Sequence, residues 1–403
     1  MGKITIFVIN ALILSLVLNN QLQANPLPGD SLSIDFLGNQ VSVSVSTSNF
    51  PSKDGKSIHQ LALAYEKWMS ENIPSSLIEK LIQIKNSPDQ NDWFYYQMVR
   101  KVANTFVPKI NDYVGYTMCK WFLLNKTGFD AAVLTSVERI MLYVRSDDVI
   151  FNQPIKVIDG SQFVNINYHD YGYTVDDAQE YNVIFYKEHC LKEPFSFKIE
   201  KLPKLPESSY ENINISFPFQ NNTENLQFKV NRLLKGIYTN YPVTEYANQF
   251  SIPVSFETES SLLNALKTKI STLDKRKGLE YLLHFTRYSF DFERDTDFFG
   301  REKRLSPEET ILYGKSDCED RAALFFYLVK KIYDLPMIVL SYANHVNIGV
   351  ALERPVGKGV LYNGLTYTIC EPTPQFKDFA LGSMDNATLK EGYEIAFAYL
   401  PNK

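Results

Sequence analysis

Three residues in the last third of the chain have types and settings suited to nucleophilic chemistry. They are Cys318 in Ser316-Asp317-Cys318-Glu319-Asp320, His345 in Asn344-His345-Val346, and Glu371 in Cys370-Glu371-Pro372-Thr373. A thiol can attack a carbonyl carbon, an imidazole can take and return its proton, and a carboxylate can hold the imidazole in place. Ser316 and Glu319 have the spacing of a capping box, which would place Cys318 in the first turn of a helix. Unpaired N–H groups and the dipole there favour thiolate and suit an oxyanion. Asp317, Glu319 and Asp320 oppose the thiolate, and an imidazolium partner has to outweigh them. Each residue also has a plainer reading: a buried helix cysteine, a hydrogen-bonded strand histidine and a surface carboxylate. Asp378 and Asp385 are weaker substitutes for Glu371.

The elements that must position these residues follow from periodicity. Ala322, Phe325, Phe326, Val329, Ile332 and Tyr333 recur at helical spacing, and Asp334-Leu335-Pro336 stops the helix. Residues 337–341 form a short strand. His345 opens a second, in which Val346, Ile348 and Val350 alternate with Asn347 and Gly349. Residues 365–370 form a third, ended by Pro372 and Pro374. If these strands pair in that order, His345 and Glu371 lie side by side at one sheet edge, facing the helix N-terminus.

The run Gly314-Lys-Ser-Asp-Cys318-Glu-Asp320-Arg-Ala322, followed by the His345 strand and Cys370-Glu371-Pro-Thr, resembles the transglutaminase-like superfamily, in particular its bacterial cysteine peptidases. The resemblance covers residues 306–374. It implies a papain-like α+β core with Cys318 as nucleophile, His345 as general base and Glu371 in place of the usual orienting Asp. Asp320 and Ala322 match framework positions of the helix. Two departures stand out. Glu is one methylene longer than Asp. The tryptophan that assists cross-linking members has no counterpart, because Trp68, Trp93 and Trp121 all lie far upstream. Tyr313 is a substitute oxyanion donor. These departures favour hydrolysis over transamidation.

The N-terminus has a secretory pattern. Lys3 precedes the apolar run 4–18, and Leu22-Gln23-Ala24 suits cleavage, so residues 1–24 are expected to be a signal peptide. The mature chain is then exported, to the periplasm or the exterior, without a transmembrane segment. The chain has 403 residues and a net charge of −5. It shows no basic patch with interleaved aromatics, which argues against nucleic acid as a partner. Neither a His-Glu-x-x-His nor a Cys-x-x-Cys pattern occurs, so no metal or other cofactor is expected, His169 and Asp170 included. Cys119, Cys190 and Cys370 could pair in an exported chain, and a Cys318–Cys370 bridge would destroy the catalytic reading.

The fold expected is α+β in three domains. Residues 25–169 hold a strand pair turning at Gly38-Asn39, then helices from 57 to 125, then meandering strands. Residues 170–255 are strand-rich and expected to form a β-sandwich-like middle domain. Residues 256–403 are the transglutaminase-like domain, and its loop 291–304 either rims the cleft or is a solvated connector. A helix followed by meandering strands occurs in both the first and last domains. Sliding one onto the other sets Asp112 or Tyr113 opposite Cys318 and Arg139 or its neighbours opposite His345, as in an inactive repeat. The expected function is a cysteine hydrolase acting on amide bonds of peptides or proteins. The alternatives are a catalytically silent binding or surface-interaction protein, and a cross-linking acyltransferase.

Overall fold

The chain is α+β, and its computed structural model describes residues 31–44, 50–174, 180–185, 192–385 and 387–401. The expected signal peptide and Cys190 lie outside these. Strands β1 (Ser31–Phe36) and β2 (Asn39–Ser44) form an antiparallel hairpin. Its turn falls at Leu37-Gly38, one residue earlier than expected. Both have positive φ, 54° and 81°, as a two-residue hairpin turn of this hand needs.

Four helices follow: α1 (Ile58–Asn72), α2 (Ser75–Lys85), α3 (Asp92–Phe106) and α4 (Tyr113–Lys126). From Gly115 to Asn125 every residue of α4 is buried. The strands after it are β3 (Ala131–Thr135), β4 (Ile140–Arg145), β5 (Ile155–Ile158), β6 (Ser161–Asn165) and β7 (Asn182–Phe185). They form an antiparallel sheet in the order β5-β6-β4-β3-β7.

After a long hairpin, β8 (Tyr210–Phe219) and β9 (Asn222–Asn231), come helices α5 (Phe256–Ile270), α6 (Lys275–Tyr288), α7 (Pro307–Tyr313) and α8 (Cys318–Tyr333). The second sheet holds β10 (Met337–Tyr342), β11 (His345–Ala351), β12 (Gly359–Tyr362), β13 (Leu365–Cys370) and β14 (Glu394–Tyr399). Its order is β12-β13-β11-β10-β14, again antiparallel throughout. The three strands of the site, β10, β11 and β13, are adjacent in that order.

The two sheets share one topology, each behind a buried helix. A rung runs Ile155–Val164–Val144–Ala131 in the first sheet and Gly359–Thr368–Val350–Met337 in the second. Counting along the strands from these rungs, Arg139 corresponds to His345 and Asn167 to Glu371. Tyr113, the first residue of α4, corresponds to Cys318, the first of α8.

The stretch 170–255 has no core of its own. A two-stranded hairpin cannot bury both faces by itself. Phe217, Phe219, Leu226, Phe228 and Val230 therefore join the second core, where Phe217 meets the rings of Tyr281 and Phe285 at 5.3 and 5.5 Å. Ile184, Phe195, Phe197, Ile199 and Tyr241 join the first.

Glu308, at the start of α7, ties the hairpin to the helices. It is 1% exposed. Its carboxylate accepts the N–H groups of Asn231 and Ser255 at 2.9 and 2.7 Å, and the hydroxyls of Ser255 and Thr258 at 2.9 and 2.6 Å. Glu308→Ala strands these donors in a dry site. A loss of about 3–5 kcal/mol in urea unfolding is expected, and a loss below about 1 kcal/mol would show that the knot does not hold the elements together.

Candidate functional site

Helix α8 starts at Cys318, but without the capping box expected from Ser316 and Glu319. Ser316 is drawn into a two-residue parallel ladder, opposite Phe292, so Asp317 becomes the N-cap and its side chain makes no cap bond. The capping box forms one helix earlier, between Ser306 and Glu309. Freed from capping, Glu319 accepts the Cys318 thiol at 2.9 Å.

Cys318, His345 and the N-terminal turn of α8 line one cleft of about 900 Å3. The His345 Nε2 lies 2.7 Å from Glu371 Oε2. Glu371 is 3% exposed, so this pairing is nearly dry. Its Oε1 accepts the Thr373 N–H at 2.9 Å. Asn347 shares a face of β11 with His345. With its amide nitrogen turned to the carboxylate, it donates to Oε2 at 2.9 Å and Oε1 at 3.3 Å. The Arg287 Nε donates to the Glu371 carbonyl at 2.6 Å. The longer glutamate is thus held on several sides, and it takes up Nε2 of His345, not Nδ1.

Burial lowers the pKa of His345, but the hydrogen bond and charge of Glu371 outweigh it and the net shift is upward. The thiol of Cys318 is pushed far above its ordinary range by burial first, then by the charges of Glu319 and Asp317. A contact from the backbone N–H of Val346 pulls the other way, which places the sulfur beside the start of β11. Burial and the acidic neighbours together favour the neutral thiol, which donates to Glu319.

Those neighbours belong to a buried acidic cluster. Asp295, Asp317 and Asp320 each bring a carboxylate oxygen within 4.8 Å of the others. Asp320 is fully buried, with Oδ1 accepting the Leu305 N–H at 2.7 Å. Its Oδ2 and the Oδ1 of Asp317 have no partner. Burial and mutual repulsion push Asp295 and Glu302 up to about 7 and Asp317 up to about 11. Such a cluster has to share protons or hold a hard cation such as Ca2+, for which carboxylate oxygens are the fitting ligands. Sequence spacing concealed it, because Asp295 comes from the distant loop 291–304. That loop does rim the cleft, through Phe292, Arg294, Glu302 and Arg304.

Tyr246 is a second residue that sequence reasoning missed. It lines the cleft under the Arg304 guanidinium, 3.9 Å from its ring centre. Tyr313 instead packs edge-on against Phe298 and Phe299, outside the cleft lining. Asp378 pairs with Arg287 and His284, and Asp385 caps the backbone at Ala387. All three tryptophans lie in the first core. Cys119, Cys318 and Cys370 are free thiols, and no bridge joins Cys318 to Cys370.

At the corresponding place in the first unit, the chemistry is plugged. Asn167 donates to the Tyr113 hydroxyl at 2.8 Å and to the Ile140 carbonyl at 2.9 Å. The Tyr113 O–H donates to Asp170 at 2.8 Å. Arg139 lies over the Tyr171 ring, 5.2 Å from its centre. His169 also faces Asp170, at 3.1 Å.

No protein-family profile, curated protein or solved structure matches the chain.

Two measurements probe the acidic surroundings. Removing the negative charge in Glu319→Gln should lower the Cys318 pKa and speed iodoacetamide alkylation near neutral pH by about tenfold or more; equal rates would mean Glu319 does not hold the thiol. Carboxyls whose folded pKa is raised favour the fold when protonated, and that stability is lost as pH rises from about 4, through about 7 for Asp295 and Glu302 and on to about 11 for Asp317. In the presence of a chelator, Tm should fall between about pH 5 and pH 8. Asp320→Asn should flatten this decline, and an unchanged slope would count against the cluster as its cause.

Proposed function

We propose that the chain is a transglutaminase-like protein with two units, the first degenerate and the second a cysteine hydrolase of amide bonds in peptides or proteins. The observation that carries this reading is the dry His345–Glu371 pair beside Cys318 in one cleft. In the reaction, the thiol gives its proton to Nδ1 of His345 as sulfur attacks the carbonyl carbon. Glu371 stabilises the imidazolium that forms. Backbone N–H groups at the start of α8 hold the developing oxyanion. The amine leaves with the proton from His345, giving a thioester on Cys318. Water, deprotonated by His345, then attacks the thioester and releases the carboxylic acid and the free thiol.

The shared strand order, with Tyr113, Arg139 and Asn167 where thiol chemistry would need Cys, His and a carboxylate, supports the degenerate first unit. Residues 1–24 fit a signal peptide, so the site of action is periplasmic or extracellular. Among the described residues no helix is long and apolar enough to cross a membrane.

One observation favours the silent binding protein instead: the thiol is neutral and turned to Glu319. Incubation with a peptide library, read by mass, separates the two. Hydrolase activity predicts new termini that Cys318→Ala abolishes. His345→Ala should lower turnover by about 100- to 10,000-fold, with Glu371→Gln less severe. Products that persist in Cys318→Ala, or none under any pH or divalent-cation condition, would sink the hydrolase.

A further inference from the structure

The active cleft does not end at the second unit. Glu302 lines both that cleft and an adjoining pocket of about 460 Å3. The far wall of the pocket comes from the first unit: Asn152, Gln153, Pro154, Tyr168 and Tyr173. This wall is fixed to the second unit. Ile150–Phe151 pairs with Val243–Thr244, and the Arg304 Nη1 donates to the Thr244 carbonyl at 2.6 Å. Arg301 lies over the Tyr173 ring, 4.5 Å from its centre, while its Nη2 donates to the Thr239 carbonyl at 2.7 Å.

Backbone strain gathers at the same place. Asn152 and Tyr173 both have left-handed φ, 56° and 58°. Asparagine tolerates that region, but a bulky tyrosine is costly there, and such residues persist where the surroundings hold them for use. The Tyr168 hydroxyl bonds the Tyr173 carbonyl, and the two rings meet edge-on at 5.4 Å. The Tyr173 hydroxyl reaches Asn240 at 3.3 Å.

We infer that this pocket is an exosite through which the first unit binds an extended, unfolded polypeptide whose scissile bond lies at Cys318. The inference rests on the hydrolase reading and narrows its substrate to long chains. Side-chain amides at Asn152 and Gln153 match the donors and acceptors of a peptide backbone. The rings of Tyr168 and Tyr173 give a face for an apolar or proline side chain. Arg301 and Glu302 set the charge at the junction. The main cleft alone is near the upper end of the roughly 300–1,000 Å3 that holds a small molecule, and the second pocket extends it in one direction. The first unit, with its own site plugged by Tyr113, Asn167 and Asp170, thus keeps a role in recognition.

Tyr173→Gly tests this, because glycine keeps the left-handed backbone without strain and removes the ring. The probes are reduced, carboxymethylated β-casein labelled with fluorescein, and its exhaustive digest to fragments of a few residues. The ratio of kcat/KM on the long chain to that on the fragments should fall about tenfold in the variant, since remote contacts serve catalysis only when the substrate reaches them. An unchanged ratio, or a fall shared by long and short substrates, would overturn the exosite. Binding of the labelled casein to Cys318→Ala protein, by fluorescence anisotropy, gives a readout that needs no turnover. Binding that weakens about tenfold in Cys318→Ala with Tyr173→Gly supports the exosite even if the wild type hydrolyses nothing, in which case only the hydrolase reading fails. Absent binding, or binding indifferent to Tyr173, rejects it. Circular dichroism and Tm of Tyr173→Gly establish that the variant is folded.

Discussion

Two buried arginines hold the cysteine helix and the glutamate strand in one frame. Arg321, three residues after Cys318 in α8, is fully buried and donates to the carbonyls of Thr286 and Arg287 at 2.7 and 2.8 Å and of Phe290 at 2.8 Å. The first two carbonyls lie in the last turn of α6, where the helix leaves them without partners, and Phe290 follows just beyond it. Arg287 in turn donates from Nε to the Glu371 carbonyl. The path from Cys318 to Glu371 thus runs through guanidinium forks, each satisfying several acceptors at once. A buried charge is costly unless hydrogen-bonded; these bonds offset much of that cost, although Nη2 of Arg287 and Nε of Arg321 have no partner. Gly278 makes room for Tyr333 of α8: a Cβ there would meet the Tyr333 hydroxyl at 1.8 Å, so the end of that ring would have to shift.

Within that frame the electrostatics pull in opposite directions. Glu371 and Asn347 prepare the imidazole to carry a proton, while Asp317, Glu319 and the buried carboxyls around Asp320 keep the thiol from losing one. Lys303 shows that the fold can neutralise a buried carboxylate, since its Nζ meets Glu309 at 2.6 Å in a nearly dry pair. Lys303 gives the cluster itself only its backbone N–H, donated to Asp295 at 2.7 Å.

The two units show how one topology can serve different ends. Where the second opens a cleft between helix start and sheet edge, the first closes it with Tyr113, Asn167 and Asp170. The long hairpin β8–β9 and the run around Phe195 divide between the two cores, which joins the units along much of their length. A domain boundary drawn from strand-like patterning alone could not foresee this, because alternation marks which face is buried and not against what.

By itself the sequence determined the local structure around the chemistry. Apolar spacing set the extent of α8, alternation set the strands carrying His345 and Glu371, and the order of cysteine, histidine and glutamate pointed to one site. The matching helix-then-strands pattern also set Arg139 or its neighbours opposite His345, and counting back along the paired strands gives Arg139. Tertiary structure decided what depends on partners remote in sequence. The ladder opposite Phe292 took Ser316 from its capping role. The loop bearing Asp295 came back against Asp317 and Asp320. The strand-rich stretch was shared between two cores, and residues 152–173 met residues 301–302 to form a second pocket. Periodicity records which side of an element is dry, whereas these outcomes turn on which distant carboxylate, carbonyl or ring fills the space beside it.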